Sequence, residues 1–201
     1  MIEFFFDCSS PWTYLAFQNI QPLAAEYQTT IRWKPFMVGG VFNSVNPSVY
    51  ESRQKPVPAK HDYHTKDLQD WARLQNIAIK FPPTVFPVNS VKAMRACLVL
   101  DKTNQLPGFA QAVFSAYWSD DKDISQDDVL VNICSSLGID GTSLLTKITE
   151  QSIKDELKAN TDELISRGGF GTPTLFVNGT DMYFGNDRMP LIRAALEAGN
   201  Y

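Results

Sequence analysis

The stretch from Ile2 to Trp33 constrains this chain more than any other. Ile2-Glu3-Phe4-Phe5-Phe6 is an apolar run long enough for a buried strand and too short for a helix, and it stops at Asp7 and a Cys8-Ser9-Ser10-Pro11 cluster. Ser10-Pro11 reads as a helix start. A serine side chain accepts a backbone N–H at the N-cap, and proline at the first helical position gives up only a donor that would be orphaned anyway. The helix should run to about Tyr27, with a kink where Pro22 removes an internal donor. Thr30-Ile31-Arg32-Trp33 then reads as a second strand before Pro35. Strands joined across such a helix pair in parallel, so the chain opens as a βαβ unit.

Composition narrows what this unit belongs to. A length of 201 residues suits one domain, or one domain carrying a large insertion. The 44% hydrophobic and 20% charged fractions are those of an ordinary globular protein. A net charge of −4 argues against a nucleic-acid partner. No stretch approaches the roughly 18 uninterrupted apolar residues of a membrane span, and Met-Ile-Glu passes directly into the first strand, leaving no room for a signal peptide. Cys8, Cys97 and Cys134 are odd in number, far apart and without a CxxC pair, which argues against a disulfide framework or a metal site. His61 and His64 lack further ligands at metal-binding spacing. A cytoplasmic protein is expected.

The middle of the chain is helical by apolar spacing, over Lys60 to Ile77, Asn89 to Leu100, Gly108 to Trp118, and from Ser152 to the Gly168-Gly169 pair. Ser125 with Asp128 gives a capping-box-like start and Gly138 a stop. The Asn46 to Pro58 stretch is the best loop candidate. Strands return at Thr174 to Val177 and Met182 to Phe184 around Asn178-Gly179, a strong hairpin-turn signal, before a last helix with Asp187 as its N-cap and Gly199 near its end.

Four motifs in order resemble a known family. Phe6-Asp7-Cys8-Ser9-Ser10-Pro11-Trp12-Thr13-Tyr14-Leu15-Ala16 is similar to the opening of bacterial 2-hydroxychromene-2-carboxylate isomerases and kappa-class glutathione transferases. Pro58-Ala59-Lys60 with Tyr63 and Asp67-Leu68 resembles their lysine-bearing helix start. Phe170-Gly171-Thr172-Pro173-Thr174 resembles their cis-proline loop, and Phe184-Gly185-Asn186-Asp187-Arg188-Met189 their glutathione clamp. The resemblance implies an α/β, thioredoxin-like fold of the DsbA/kappa type with a large helical insertion: residues 1–37 and 164–201 forming the thioredoxin-like domain and 38–163 the inserted helical domain. It also implies glutathione as cofactor and a homodimer.

Ser10 is an ordinary N-cap when read alone. Within the resemblance, Ser10 and Thr13 stand where DsbA-type oxidoreductases carry the two cysteines of Cys-x-x-Cys. Neither hydroxyl ionises usefully near neutral pH, so a dithiol cycle is closed, but the anion-favouring helix start remains. A borrowed thiol placed there would ionise more readily, with Ser10 donating to its sulfur as the catalytic residue. By the same resemblance, the cofactor would be held by Ser10, Lys60, Thr172, Pro173, Asn186 and Asp187. Thr172 would pair strand-like with the cysteinyl unit, Asn186 and Asp187 would bind the γ-glutamyl end, and Lys60 the glycyl carboxylate or an anionic substrate. Asn46, Asn89 and Arg95 are the substrate-side candidates. Cys8 reads as a small buried hydrophobe.

The implied reaction is glutathione-dependent cis–trans isomerisation between 2-hydroxychromene-2-carboxylate and trans-o-hydroxybenzylidenepyruvate, an aromatic pyruvate-type substrate from aromatic catabolism. A kappa-like transferase or peroxidase would keep the same site, and a non-catalytic glutathione-binding module would keep the fold.

Overall fold

A computed structural model describes residues 1–199. Positions 200 and 201, the end of the expected 164–201 segment, lie outside the described residues. Strand β1 (Ile2–Phe6) leads into helix α1 (Pro11–Glu26), which runs through Pro22, and β2 (Ile31–Pro35) returns parallel to β1 with Phe4 opposite Trp33. Strands β3 (Thr174–Val177) and β4 (Asp181–Phe184) form a hairpin across Asn178-Gly179, where both residues hold the positive φ that a tight turn of this hand requires. β3 docks antiparallel on β1, completing a mixed four-stranded sheet in the order β2-β1-β3-β4.

β1 is interior and buried on both faces, which explains its nearly unbroken apolar sequence. Side chains alternate across a sheet. Phe4 and Phe6 enter the main core with Phe17 of α1 and Phe114, while Phe5 joins a smaller cluster of Phe36, Val41, Leu164 and Phe176. Each such burial contributes about 1.5–3 kcal/mol. Glu3, on the Phe5 side, is 6% exposed and is paired with Arg167 at 2.7 Å. Arg167 also reaches Glu163 at 2.8 Å, and Glu163 takes Lys34 at 2.8 Å. Partial burial opposes ionisation of Glu163, but the bonds from Lys34 and Arg167 outweigh it and hold the carboxyl below its usual range.

Between β2 and β3 lie α2 (Val38–Val45), α3 (Ser48–Gln54), α4 (Pro58–Leu74), α5 (Val91–Asp101), α6 (Leu106–Phe114) with a closing π turn over Ser115–Ser119, α7 (Asp127–Ser136), α8 (Gly141–Lys147) and α9 (Gln151–Ser166). A 3-10 turn at Asn186–Arg188 leads into α10 (Met189–Ala198). Among the described residues no helix is long and apolar enough to cross a membrane.

The long helices fall within a few residues of their apolar spacing, and the short ones depart from expectation. The Asn46 to Pro58 stretch contains α3 rather than being loop throughout. α2 forms despite Gly39-Gly40 because distant side chains satisfy backbone donors at its start. The Met37 N–H donates to Thr161 Oγ1 at 3.1 Å and the Val38 N–H to Asp7 Oδ2 at 3.0 Å. Ser125 does not cap α7; its N–H is turned onto Asp123 Oδ1 at 2.9 Å and Gln126 takes the cap position. Asp187 is not the cap of α10 either. It lies within the 3-10 turn, and Arg188 occupies the cap position ahead of Met189-Pro190, where the first turn tolerates proline's missing donor.

Candidate functional site

The site forms where β1 hands over to α1. Ser10 holds extended backbone at the N-cap, and its Oγ accepts the Thr13 N–H at 3.3 Å. A hydroxyl that accepts here keeps its own proton free to donate. The approach is braced by Asp7, 1% exposed, whose carboxylate accepts the N–H groups of Ser9 at 2.9 Å and Val38 at 3.0 Å. Among the described residues Ser10 therefore presents an uncommitted O–H at a helix start, where backbone donors and the macrodipole favour an anion.

The register of β3 brings a second segment to the same place. Thr174 pairs with Phe5, so Pro173 and Thr172 run on beside the end of β1. Thr172 Oγ1 accepts the Asp7 N–H at 3.2 Å and lies 2.8 Å from Thr13 Oγ1, fastening this loop to the first turn of α1. The Thr172–Pro173 bond is cis, as the resemblance implies. Among the described residues, the backbone N–H and C=O of Thr172 have no internal hydrogen-bond partner. They are the groups with which an extended chain would pair.

A third segment follows from the β3–β4 ladder, because the Gly185 N–H donates to the Pro173 carbonyl at 3.1 Å. Gly185 has φ +111°, and a Cβ there would stand 2.8 Å from Asp187 Oδ1, so the turn requires glycine. Asn186 is 5% exposed and, among the described residues, its Nδ2 has no partner. A buried donor left unpaired costs about 1–3 kcal/mol, and a ligand acceptor would relieve it. Asp187 is exposed, with its carboxylate 3.4 Å from Arg188 Nη1. α1 packs against this turn.

The remaining candidates divide. Asn46 ends α2 and donates from Nδ2 to the Phe170 carbonyl at 3.1 Å, pinning the cis-proline loop from outside. Lys60 is exposed in the first turn of α4, one helical turn before His64, whose ring lies 5.1 Å from that of Trp12. It therefore lies on the α4 face nearest the start of α1. Asn89 accepts the Val91 N–H at 3.1 Å and is engaged in starting α5. Arg95 stands about 200° around α5 from Cys97, whose thiol meets Cys8, and among the described residues its Nε is buried without a partner. Cys8 is wholly buried, and burial, then Cys97, push its thiol up, opposite to what a nucleophile needs.

An aromatic rim escaped the sequence reading. The Phe184 ring lies over Gly171, where a Cβ would come within 2.9 Å of it, and stands 4.4 Å from the ring of Phe170. Phe170 and Phe184 are 39% and 38% exposed. Beyond them, Phe42, Phe86 and Arg53 continue the surface. No residue spacing announces this rim, since it is assembled from α2, α3, the 81–87 loop, the loop before β3 and β4 itself.

Comparison with known proteins agrees with this arrangement. The family model for a DSBA-like thioredoxin domain matches residues 1–197. A 2-hydroxychromene-2-carboxylate isomerase from Pseudomonas putida is 28% identical over 199 residues, spanning 98% of this chain and 94% of that protein. A glutathione S-transferase kappa 1 from Caenorhabditis elegans is 28% identical over 215 residues, spanning 98% of this chain and 90% of that protein. A solved structure of a 2-hydroxychromene-2-carboxylate isomerase superposes with a TM-score of 0.82 at 27% identity, covering 98% of this chain and 94% of that one. With the helix start at Ser10 facing a cis-proline loop and the match running over nearly its whole length, this chain belongs to the DsbA-like thioredoxin-domain family.

Proposed function

We propose that this protein is a glutathione-dependent isomerase interconverting 2-hydroxychromene-2-carboxylate and trans-o-hydroxybenzylidenepyruvate, acting in the cytoplasm as a homodimer. The observation that carries the reading is the free Ser10 hydroxyl at the start of α1, bolted beside the Thr172–Pro173 loop by the 2.8 Å contact of Thr13 with Thr172. It replaces a redox cysteine with a donor and leaves the anion-favouring geometry intact. The isomerase relatives support this choice of substrate.

The residues present fit glutathione on two counts: the uncommitted backbone pair of Thr172 and the unpaired buried amide of Asn186. What glutathione supplies when bound is a thiol nucleophile for reversible addition to the double bond conjugated with the substrate ketone. Thr172 and Pro173 would hold its cysteinyl unit, Asn186 and Asp187 its γ-glutamyl end, and Lys60 its glycyl carboxylate. Ser10 would donate its proton in a hydrogen bond to the sulfur, and the α1 start would lower the cost of negative charge there. The aromatic rim would keep water from the reacting face.

Absorbance of the two isomers gives the test. Purified protein should interconvert them with reduced glutathione present and lose that activity when glutathione is removed. Equal rates with and without glutathione, or none at all, would contradict the proposal. The kappa-class relatives support a second reading, a transferase using the same site. It is distinguished by a stable glutathione conjugate among the products.

A further inference from the structure

We propose that Arg53 grips the carboxylate of the substrate and makes the site select aromatic acids over neutral aromatics. The inference rests on the reading that the aromatic surface beside Ser10 receives the substrate. α3 carries the Arg53 guanidinium between two rings, 5.8 Å from the Phe42 centroid and 5.7 Å from that of Phe86. Each ring leads back to the helix start by its own route. Phe42 Cε1 lies 3.9 Å from where a Gly171 Cβ would stand, one residue before Thr172. Phe86 stands 6.5 Å from Trp118, whose Nε1–H donates at 2.9 Å to the carbonyl of Cys8, two residues before Ser10. Arg53 thus joins the ring beside the cis-proline loop to the ring beside Trp118, the two segments that adjoin the helix start.

Its charge is uncommitted. Arg32, Arg73, Arg167, Arg188 and Arg193 each have a carboxylate partner, whereas among the described residues Arg53 and Arg95 have none, and of these two only Arg53 lies on the aromatic rim. A guanidinium held against aromatic rings keeps its edge donors free, and that planar fork matches a carboxylate with two parallel bonds. Arg53 itself is exposed, so a carboxylate can reach the guanidinium from solvent. The same rings offer flat surface to an aromatic body. The chemistry recognised is therefore a planar aromatic with a carboxylate at its end.

The test measures binding of trans-benzylidenepyruvate and of its methyl ester by quenching of tryptophan fluorescence, with reduced glutathione present, in the native chain and in Arg53→Gln. The native protein should bind the acid about ten- to a hundredfold more tightly than the ester. Arg53→Gln should remove that preference by weakening the acid alone, with affinity for the ester and for glutathione unchanged. Native protein that binds neither compound or does not distinguish them, or a variant that keeps the preference, overturns the proposal. A matching loss of glutathione affinity overturns it too, by assigning Arg53 to the cofactor. Turnover of 2-hydroxychromene-2-carboxylate by the native protein is read separately. Its absence sinks the isomerase reading and leaves the acid–ester comparison to decide Arg53.

Discussion

Ser10 performs two physical tasks with one oxygen. Its lone pair caps α1 by accepting the Thr13 N–H at 3.3 Å, and its proton remains available to a ligand. Removing the oxygen should therefore leave two separable marks. Ser10→Ala should lower stability by about 0.5–2 kcal/mol through the lost cap. It should slow turnover about ten- to a hundredfold, the worth of one hydrogen bond to a charged sulfur. Ser10→Cys should instead place a thiol at the helix start, with a pKa below that of a free cysteine. Oxidised glutathione should then add one glutathione mass, reversibly by reductant, before it reacts with Cys8, Cys97 or Cys134, all of them buried. Equal turnover in Ser10→Ala, or a Ser10→Cys thiol no faster than the other three, would reduce Ser10 to a cap. The sequence reading proposed Ser10, Thr172, Pro173, Asn186 and Asp187 through motif resemblance, and the structure sets their segments side by side. It gave no sign of the contacts of Arg53 with Phe42 and Phe86, because nothing in a chain of residues tells that α2, α3 and the 81–87 loop will meet.

Elements differ in how much of their stability is written locally. α1, α4 and α9 carry their own apolar faces, and β1 its own apolar run, so their sequences announce them. α2 depends on Asp7 and Thr161 from elsewhere in the chain, so a local reading misses it. The 81–87 loop, which presents Phe86 to the aromatic rim, is held in a similar borrowed way. Asp121 takes Lys80, and also the Thr84 N–H and hydroxyl, each of these two at 2.6 Å. These bonds, that of Lys80 first, pull the Asp121 carboxyl down to about 2. A depressed acid pKa means that the tether is complete above the ordinary carboxylate pKa, about 3.9, and is lost as pH falls through the folded value. The Thr84 amide resonance should therefore move with a midpoint near pH 2. Asp121→Asn should abolish that titration while Phe86 loosens from Trp118 at neutral pH. A Thr84 amide that ignores both acid and the substitution would show that the loop is held by something else.

At the scale of the molecule, the site exists because the sheet order β2-β1-β3-β4 sets strands from opposite ends of the chain side by side. Residues 10–13, 172–173 and 185–187 converge through one Thr–Thr contact and one ladder bond. The opening βαβ unit and the closing hairpin and helix were legible as elements, and the parallel pairing of β1 with β2 followed from the crossover. The antiparallel docking of β3 on β1, which makes the site, carries no local signal and is seen only in the structure. The central claim is that these three segments together form a glutathione site, and calorimetric titration of the native protein with reduced glutathione tests it most directly. One equivalent should bind with a dissociation constant of about 1 mM or tighter; at ten times that constant the folded state gains about 1.4 kcal/mol, which raises the melting temperature by about 3–6 °C. No heat of binding and no thermal shift at saturating glutathione would contradict the claim.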